Sequence, residues 1–123
     1  NDAFNSLPWH DALLLELKVD RSSAGHRDEV RLRVVWPEGD EATLVFRDCY
    51  AMTADMNFGV VCEESIAGAS LIDNDPRLAS IRDGWKQIGV SLDKLRCYRL
   101  DTASTASVIL IYALEFEVRR SDD

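Results

Sequence analysis

The sequence has no long apolar run. None of its 123 residues form a stretch close to the roughly 18 consecutive apolar residues of a membrane-spanning helix. The first ten residues have neither the basic segment nor the apolar segment of a secretion signal. We therefore expect a cytoplasmic protein that does not bind membranes.

Cysteine and histidine are scarce. The three cysteines, Cys49, Cys62 and Cys97, are dispersed and odd in number, which argues against a disulfide framework. The two histidines, His10 and His26, are distant in sequence from every cysteine, so no thiol has an adjacent base to activate it. No His-x-His or His-Glu-x-x-His motif is present. We expect reduced thiols, no metal ion and no cofactor.

Basic residues are outnumbered by acidic ones. Lys and Arg total 14 against 22 Asp and Glu, which gives a net charge of −8. An acidic domain repels phosphate backbones, so we expect no nucleic-acid partner. The same charge attracts a basic protein partner, although solubility alone is the simpler explanation.

One stretch is typical of a central β-strand. Residues 106–118 read ASVILIYALEFEV and alternate with period two. The alternation predicts one common side for Val108, Leu110, Tyr112, Leu114, Phe116 and Val118. The first half is apolar on both faces, so we expect it to be covered on both sides. Glu115 and Glu117 then mark the end that faces water.

The N-terminal half predicts an antiparallel meander. Residues 1–9 have no periodicity and are expected to be irregular. Residues 13–19, 29–36 and 41–50 alternate in turn, and a Pro-Glu-Gly-Asp turn at 37–40 joins the last two. In the first strand, one fully apolar face is expected to carry Leu13, Leu15, Leu17 and Val19.

The second half predicts short strands and one helix. Residues 51–57 are ambiguous, 58–62 and 65–72 are candidate short strands, 94–101 is a further strand, and 119–123 is expected to be a solvated tail. A helix of about four turns should begin at the cap Asp75 and Pro76 and end at Gly89. Its apolar stripe comprises Leu78, Ile81, Trp85 and Ile88.

These elements predict a single α+β domain over residues 1–123. We expect a predominantly antiparallel β-sheet of five to seven strands with an N-terminal meander. The one amphipathic helix should pack on this sheet through its apolar stripe.

Candidate functional residues fall in several places. His10 beside Asp11 places an imidazole next to a carboxylate and is the basis of one hypothesis, a small-ligand binder or hydrolase-like enzyme using His10 and nearby carboxylates. Adjacent residues of an extended chain point to opposite faces, however, which favours a structural role for the pair. Trp9 is either an exposed anchor for a partner or a staple that holds the N-terminal segment to the sheet.

Other polar groups are weaker candidates. Glu115 and Glu117 belong to the surface on which we expect a partner. The hydroxyl-rich residues 102–107 (TASTAS) are expected to form local hydrogen bonds. Scattered surface positions are expected for the acids Asp48, Asp55, Glu63, Glu64, Asp73 and Asp75.

A series of short motifs in a fixed order also carries a resemblance. The motifs are His10-Asp11-Ala12 before an alternating strand, Phe46-Arg47-Asp48-Cys49, a helix with Trp85, Tyr98-Arg99-Leu100-Asp101-Thr102, Ser107-Val108-Ile109 and Phe116-Glu117. In this order the chain resembles a group of small bacterial domains, some of them immunity proteins of polymorphic toxin systems. The resemblance implies a cytosolic, non-enzymatic domain that neutralises a toxin by binding it, and it supplies no catalytic residues.

Three hypotheses follow. The first is a small intracellular protein-binding domain that is not an enzyme, with Trp9, His10, Asp11, Glu115 and Glu117 as its candidate contacts. The second is the ligand binder or hydrolase based on His10. The third is a homodimer formed through an uncovered strand at the edge of the sheet.

Overall fold

Six strands and two helices make up the fold. A computed structural model describes residues 2–120. The elements are α1 (Asp2–Asn5), β1 (Leu13–Ser23), β2 (Arg27–Val35), β3 (Glu41–Asp55), β4 (Ile66–Ile72), α2 (Pro76–Lys86), β5 (Arg96–Thr102) and β6 (Val108–Arg120). The expected α+β architecture, dominated by an antiparallel sheet, is confirmed.

All six strands form one sheet in the order β1-β2-β3-β6-β5-β4. Strands β1, β2 and β3 pair antiparallel in sequence, which confirms the meander. Strand β6 pairs with β3 on one side and with β5 on the other. It is therefore the central strand that its alternating sequence predicted.

Apolar clusters lie on both faces of this sheet. The first cluster includes six aromatic residues: Phe4, Trp9, Trp36, Phe46, Tyr98 and Phe116. The second lies under α2 and includes Leu78, Leu92, Leu95, Cys97 and Tyr112. Ile109 and Ile111 of β6 belong to the first cluster and Tyr112 to the second. The first half of β6 is thus covered on both sides, as expected.

The strict alternation expected along β6 is wrong in its second half. Tyr112 and Leu114 pack in the second cluster, whereas Phe116 and Val118 pack against the first. The change of side lies opposite an irregular part of β3, where Tyr50 is an extra residue between the pairs that Cys49 and Ala51 make with β6. A bulge of this kind increases the local twist of a strand pair. The sequence of β6 contains no sign of it, because the extra residue is on its neighbour.

Helix α2 begins as predicted and ends early. The Asp75 carboxylate accepts a hydrogen bond from the Leu78 N–H at 3.0 Å, and Pro76 occupies the first turn. The helix has 11 residues, about three turns, and its C-cap is Gln87. Gly89, with φ +87°, closes the turn that follows: its N–H donates to the Lys86 carbonyl and the Val90 N–H donates to the Trp85 carbonyl, which is the glycine capping motif of helix C-termini. The predicted role of Gly89 as a cap is therefore confirmed, and only the fourth helical turn is wrong.

Only the first part of the helical stripe packs on the sheet. Leu78 is buried and Ile81 contacts the second cluster, but Trp85 is 38% exposed and Ile88 is 70% exposed. The loop residues Leu92 and Leu95 fill the space that the stripe was expected to occupy. The prediction that Trp85 and Ile88 belong to the core is therefore wrong.

The N-terminal segment was expected to be irregular, but its first residues form a helix. Residues 2–5 form α1, and its Phe4 lies within the first cluster. Trp9 is buried there as well, and its indole N–H donates a hydrogen bond of 2.8 Å to the Phe4 carbonyl. Short peptide helices are unstable alone, so this turn depends on its contacts with the sheet.

Strand boundaries differ from prediction at several places. The apolar face predicted for β1 is wrong at two positions. Leu14 rather than Leu15 is buried, because Leu15 has no partner on β2 and shifts the register of the pair. Val19 is exposed. The ambiguous residues 51–55 extend β3, residues 58–62 are not a strand, and β4 occupies 66–72. Arg119 and Arg120 belong to β6 rather than to a tail, and residues 121–123 lie outside the described residues.

Candidate functional site: a cleft beside an irregular strand

The residues proposed from sequence do not converge on one place. Trp9 is buried in the first cluster, so it is the staple of the two alternatives and offers no exposed anchor. His10 and Asp11 are exposed where the start of β1 meets β4. Glu115 and Glu117 lie on β6, and neither they nor His10 line the cleft described below.

The His10–Asp11 pair has mainly backbone contacts. The two side chains approach to 3.7 Å between Nε2 and Oδ2, and His10 Nδ1 lies 3.2 Å from the Ala67 carbonyl oxygen. Asp11 has φ +68°, and its N–H donates to the Ile66 carbonyl. These contacts join the first residues of the chain to β4, which is the structural role that the sequence favoured.

Glu117 is part of a series of ion pairs on the outer face of the sheet. Arg47 and Arg119 both pair with it, and the hydrogen bond from Arg47 holds the Glu117 pKa below its ordinary value. On the same face Arg33 binds Glu41 at 2.7 Å and Glu16 at 3.4 Å. Acids here are mostly neutralised by arginines. This face is therefore not the free acidic surface that the sequence suggested, although Glu115 is exposed.

The hydroxyl-rich turn at residues 102–107 serves the fold. The Ser107 N–H donates to Thr102 Oγ1 at 2.8 Å, and the Asn57 N–H donates to Ser107 Oγ at 2.9 Å. Thr105 binds the Glu64 carboxylate through its hydroxyl and its backbone N–H. The expected local hydrogen bonds are therefore present within the turn, and the same hydroxyls also join it to loops that are distant in sequence.

A cleft of about 550 Å3 lies beside the irregular part of β3. The turn between β1 and β2, the irregular middle of β3 and the last turn of α2 enclose it. Its lining includes Arg21, His26, Asp28, Glu29, Asp48, Cys49, Tyr50 and Trp85.

Asp48 has the most unusual geometry in the cleft. Its φ of +54° lies in the left-handed region, which aspartate and asparagine tolerate better than other non-glycine residues. Non-glycine residues held in this conformation are concentrated at functional sites. Asp48 is exposed, and no ion pair or hydrogen bond to its carboxylate occurs within residues 2–120.

The other acids of the cleft are already bound. Asp28 accepts hydrogen bonds from the Arg21 guanidinium and the Gly25 N–H, and the Arg21 bond lowers the Asp28 pKa. Glu29 pairs with Arg31 at 3.1 Å. Asp48 is therefore the cleft carboxylate with capacity for a further cation.

An aromatic pair forms one wall. The rings of Tyr50 and Trp85 meet edge to face, with centroids 5.1 Å apart. Trp85 keeps more than a third of its surface exposed. An aromatic face beside a carboxylate suits a basic side chain, which can contact the ring while it pairs with the acid.

Cys49 contributes a neutral group to the lining. Burial raises the pKa of its thiol to about 12, and Asp28 and Asp48 act in the same direction. The thiol is therefore protonated at neutral pH, when it is a poor nucleophile.

Sequence reasoning recognised some of these residues for other reasons. The sequence places Asp48 among the scattered acids and Trp85 in the apolar stripe of the helix. The one local signal was the polar pair Arg47-Asp48, which interrupts the apolar residues of β3 just before its extra residue.

No known protein family and no curated protein matches this chain. No group of three or more His, Cys, Asp or Glu side chains suited to a metal ion occurs in the described part of the chain. Across residues 2–120, no helix is long and apolar enough to span a membrane.

Proposed function

We propose that this chain is a non-catalytic binding domain whose cleft receives a basic side chain of a protein partner. The observation that carries the proposal is the unpaired Asp48 carboxylate, held in a left-handed conformation in the same cleft as the exposed Trp85. Charge-assisted hydrogen bonds to such a group are stronger than neutral ones.

The charge of the whole chain supports the same partner. A net charge of −8 attracts basic proteins from a distance and raises the rate at which they encounter the domain. The cleft then provides the short-range contacts that a general field does not. A basic toxin domain in the bacterial cytoplasm is the partner that the resemblance to immunity proteins implies, and it fits this chemistry.

A binding role fits the cleft better than a catalytic one. Its thiol is held in the neutral form, and its imidazole, His26, is on the loop between β1 and β2. The hypothesis of an enzyme based on His10 gains no support from the geometry, because His10 does not line the cleft and the carboxylate that it pairs with is its sequence neighbour Asp11.

The test compares two peptides that differ in charge. A short arginine peptide and its citrulline counterpart are titrated into labelled protein, and amide and indole shifts are followed by NMR. The arginine peptide should shift the signals of Tyr50 and Trp85, whereas the uncharged peptide should bind about tenfold more weakly. Equal binding of both peptides, or no shift at millimolar concentration, would contradict the proposal.

Asp48→Asn is the decisive variant. Asparagine tolerates the same left-handed backbone, so the fold is kept while the charge is removed. The variant should bind the arginine peptide about tenfold more weakly, and Asp93→Asn, an exposed acid in the loop after α2, serves as the matched control with unchanged affinity. A toxin encoded beside this chain's gene should likewise be neutralised by wild-type protein and less well by Asp48→Asn.

A further inference from the structure

The two edges of the sheet are treated differently. The β4 edge is covered by the N-terminal segment, because the Leu71 N–H donates to Asn5 Oδ1 at 2.9 Å and the His10 ring contacts the Ala67 carbonyl. The start of β1 is joined to the segment that leads into β4 by the bridge between Leu13 and Ser65 and by backbone hydrogen bonds between residues 11–14 and 64–66. Beyond that bridge the outer edge of β1 has no neighbouring strand within residues 2–120.

The open part of β1 has a regular backbone. From Glu16 to Asp20 each residue pairs in sequence with β2, and register irregularities flank this stretch on both sides. Leu15 and Val19 are large apolar residues that are 45% and 54% exposed. Unpaired backbone groups in an extended strand readily accept another strand.

Lys18 lies opposite another positively charged residue within its own chain. In the register it lies opposite Arg31, whose own acidic partner is Glu29. No ion pair to Lys18 occurs in the described residues. Like charges directly opposite each other destabilise a strand pair, so Lys18 would gain from an acid on its other side.

We propose that a second copy of this chain supplies that acid through antiparallel pairing of the two β1 edges around a twofold axis at Leu17. Glu16 of each copy then lies opposite Lys18 of the partner subunit, Leu15 lies opposite Val19, and the two Leu17 residues face each other. Each dimer contains the opposite-charge pair twice, and each cross-strand pair adds favourable energy. The interface is isologous, as a twofold dimer requires.

Neighbouring registers are less favourable. An axis at Lys18 places Lys18 opposite itself and Glu16 opposite Asp20, and an axis at Glu16 places two glutamates together. An axis between two residues pairs the inward-facing Leu17 with the outward-facing Lys18, which mismatches the faces of the two sheets. The charge sequence of β1 therefore selects the axis at Leu17.

Charge reversal tests this register. Lys18→Glu should weaken self-association roughly tenfold, because two attractive pairs become repulsive. It should not destabilise the subunit, since the new glutamate lies opposite Arg31. The reversed pair Glu16→Lys with Lys18→Glu should restore association. A 1:1 mixture of the two single variants should form heterodimers, because every cross-strand pair is then complementary.

Sedimentation velocity at low salt, from micromolar to millimolar protein, is the measurement. The wild-type mass should rise from 13.8 kDa towards twice that value. Lys94→Glu makes the same charge change in an exposed turn and should leave the mass curve unaltered. A wild type that stays monomeric throughout would overturn the proposal, and so would a dimer that Lys18→Glu does not weaken. Asp48→Asn should leave self-association unchanged, so the proposed dimer and the proposed binding function of the cleft can be refuted separately.

Discussion

Replacing Phe4 with alanine is the sharpest test of how the N-terminal segment is held. Phe4 is 1% exposed, although its helix has only four residues. Its ring centroid lies 5.0 Å from those of Trp9 and Tyr98, 5.3 Å from Phe116 and 6.2 Å from Phe46. Tertiary packing, rather than helix propensity, therefore keeps α1 in place.

The expected loss of stability is large. Truncation of a fully buried phenylalanine costs about 3–5 kcal/mol. We expect the upper half of this range, because aromatic pairs add about 0.5–1.5 kcal/mol beyond burial alone. Total stabilities of about 0.05–0.15 kcal/mol per residue make this a substantial part of the free energy of unfolding.

Urea unfolding gives the measurement. Far-UV circular dichroism reports the sheet, and tryptophan fluorescence reports the three tryptophans, of which Trp9 contacts the Phe4 ring. Phe58→Ala is the matched control, because it makes the same chemical change at a position that is 83% exposed. The control should change the free energy of unfolding by no more than about 0.5 kcal/mol.

One result would refute this reasoning. If Phe4→Ala and Phe58→Ala cost the same, and both less than about 1 kcal/mol, then α1 does not dock in the aromatic cluster. In that case Trp9 would have to be reconsidered as well, because its indole hydrogen bond ends on the Phe4 carbonyl.

Two further predictions concern thiols and pH. In native protein at pH 8 a maleimide should modify exposed Cys62 but not Cys49 or Cys97, because burial raises the pKa values of these two thiols to about 12 and about 11. Unfolding should make all three thiols reactive. Modification of Cys49 in the native protein would contradict its burial. Arg47 lowers the pKa of Glu117 in the folded protein. The pair therefore stabilises the fold at pH values above 4.5, the ordinary pKa of a glutamate, and this contribution is lost as the pH falls through the lowered pKa. Urea midpoints should therefore fall less between pH 6 and pH 3 in Glu117→Gln than in wild type, and parallel declines would count against the pair.

Local patterns were sufficient for much of the fold. The alternation at residues 106–118 identified the central strand, and Asp75-Pro76 marked the start of α2 correctly. These signals work because strand alternation and helix capping depend on residues close together in the chain.

The candidate site was harder to predict, since it depends on residues distant in sequence. Asp48 and Trp85 meet across one cleft only because the extra residue of β3 and the short α2 bring them together. Trp85 has the correct helical spacing for a core residue. No sequence pattern shows that Leu92 and Leu95, from the next loop, take that place.

The sequence by itself determined the composition, the strand periodicity and the beginning of the helix, because each arises from neighbouring residues. The tertiary structure alone decided which apolar side chains became buried. Phe4 and Trp9 have no periodic context, yet they are buried, because their rings pack against Tyr98 and Trp36, which are distant in sequence. The tertiary structure also decided that the outer edge of β4 is covered while the outer edge of β1 stays open, since strand order depends on pairings between distant segments.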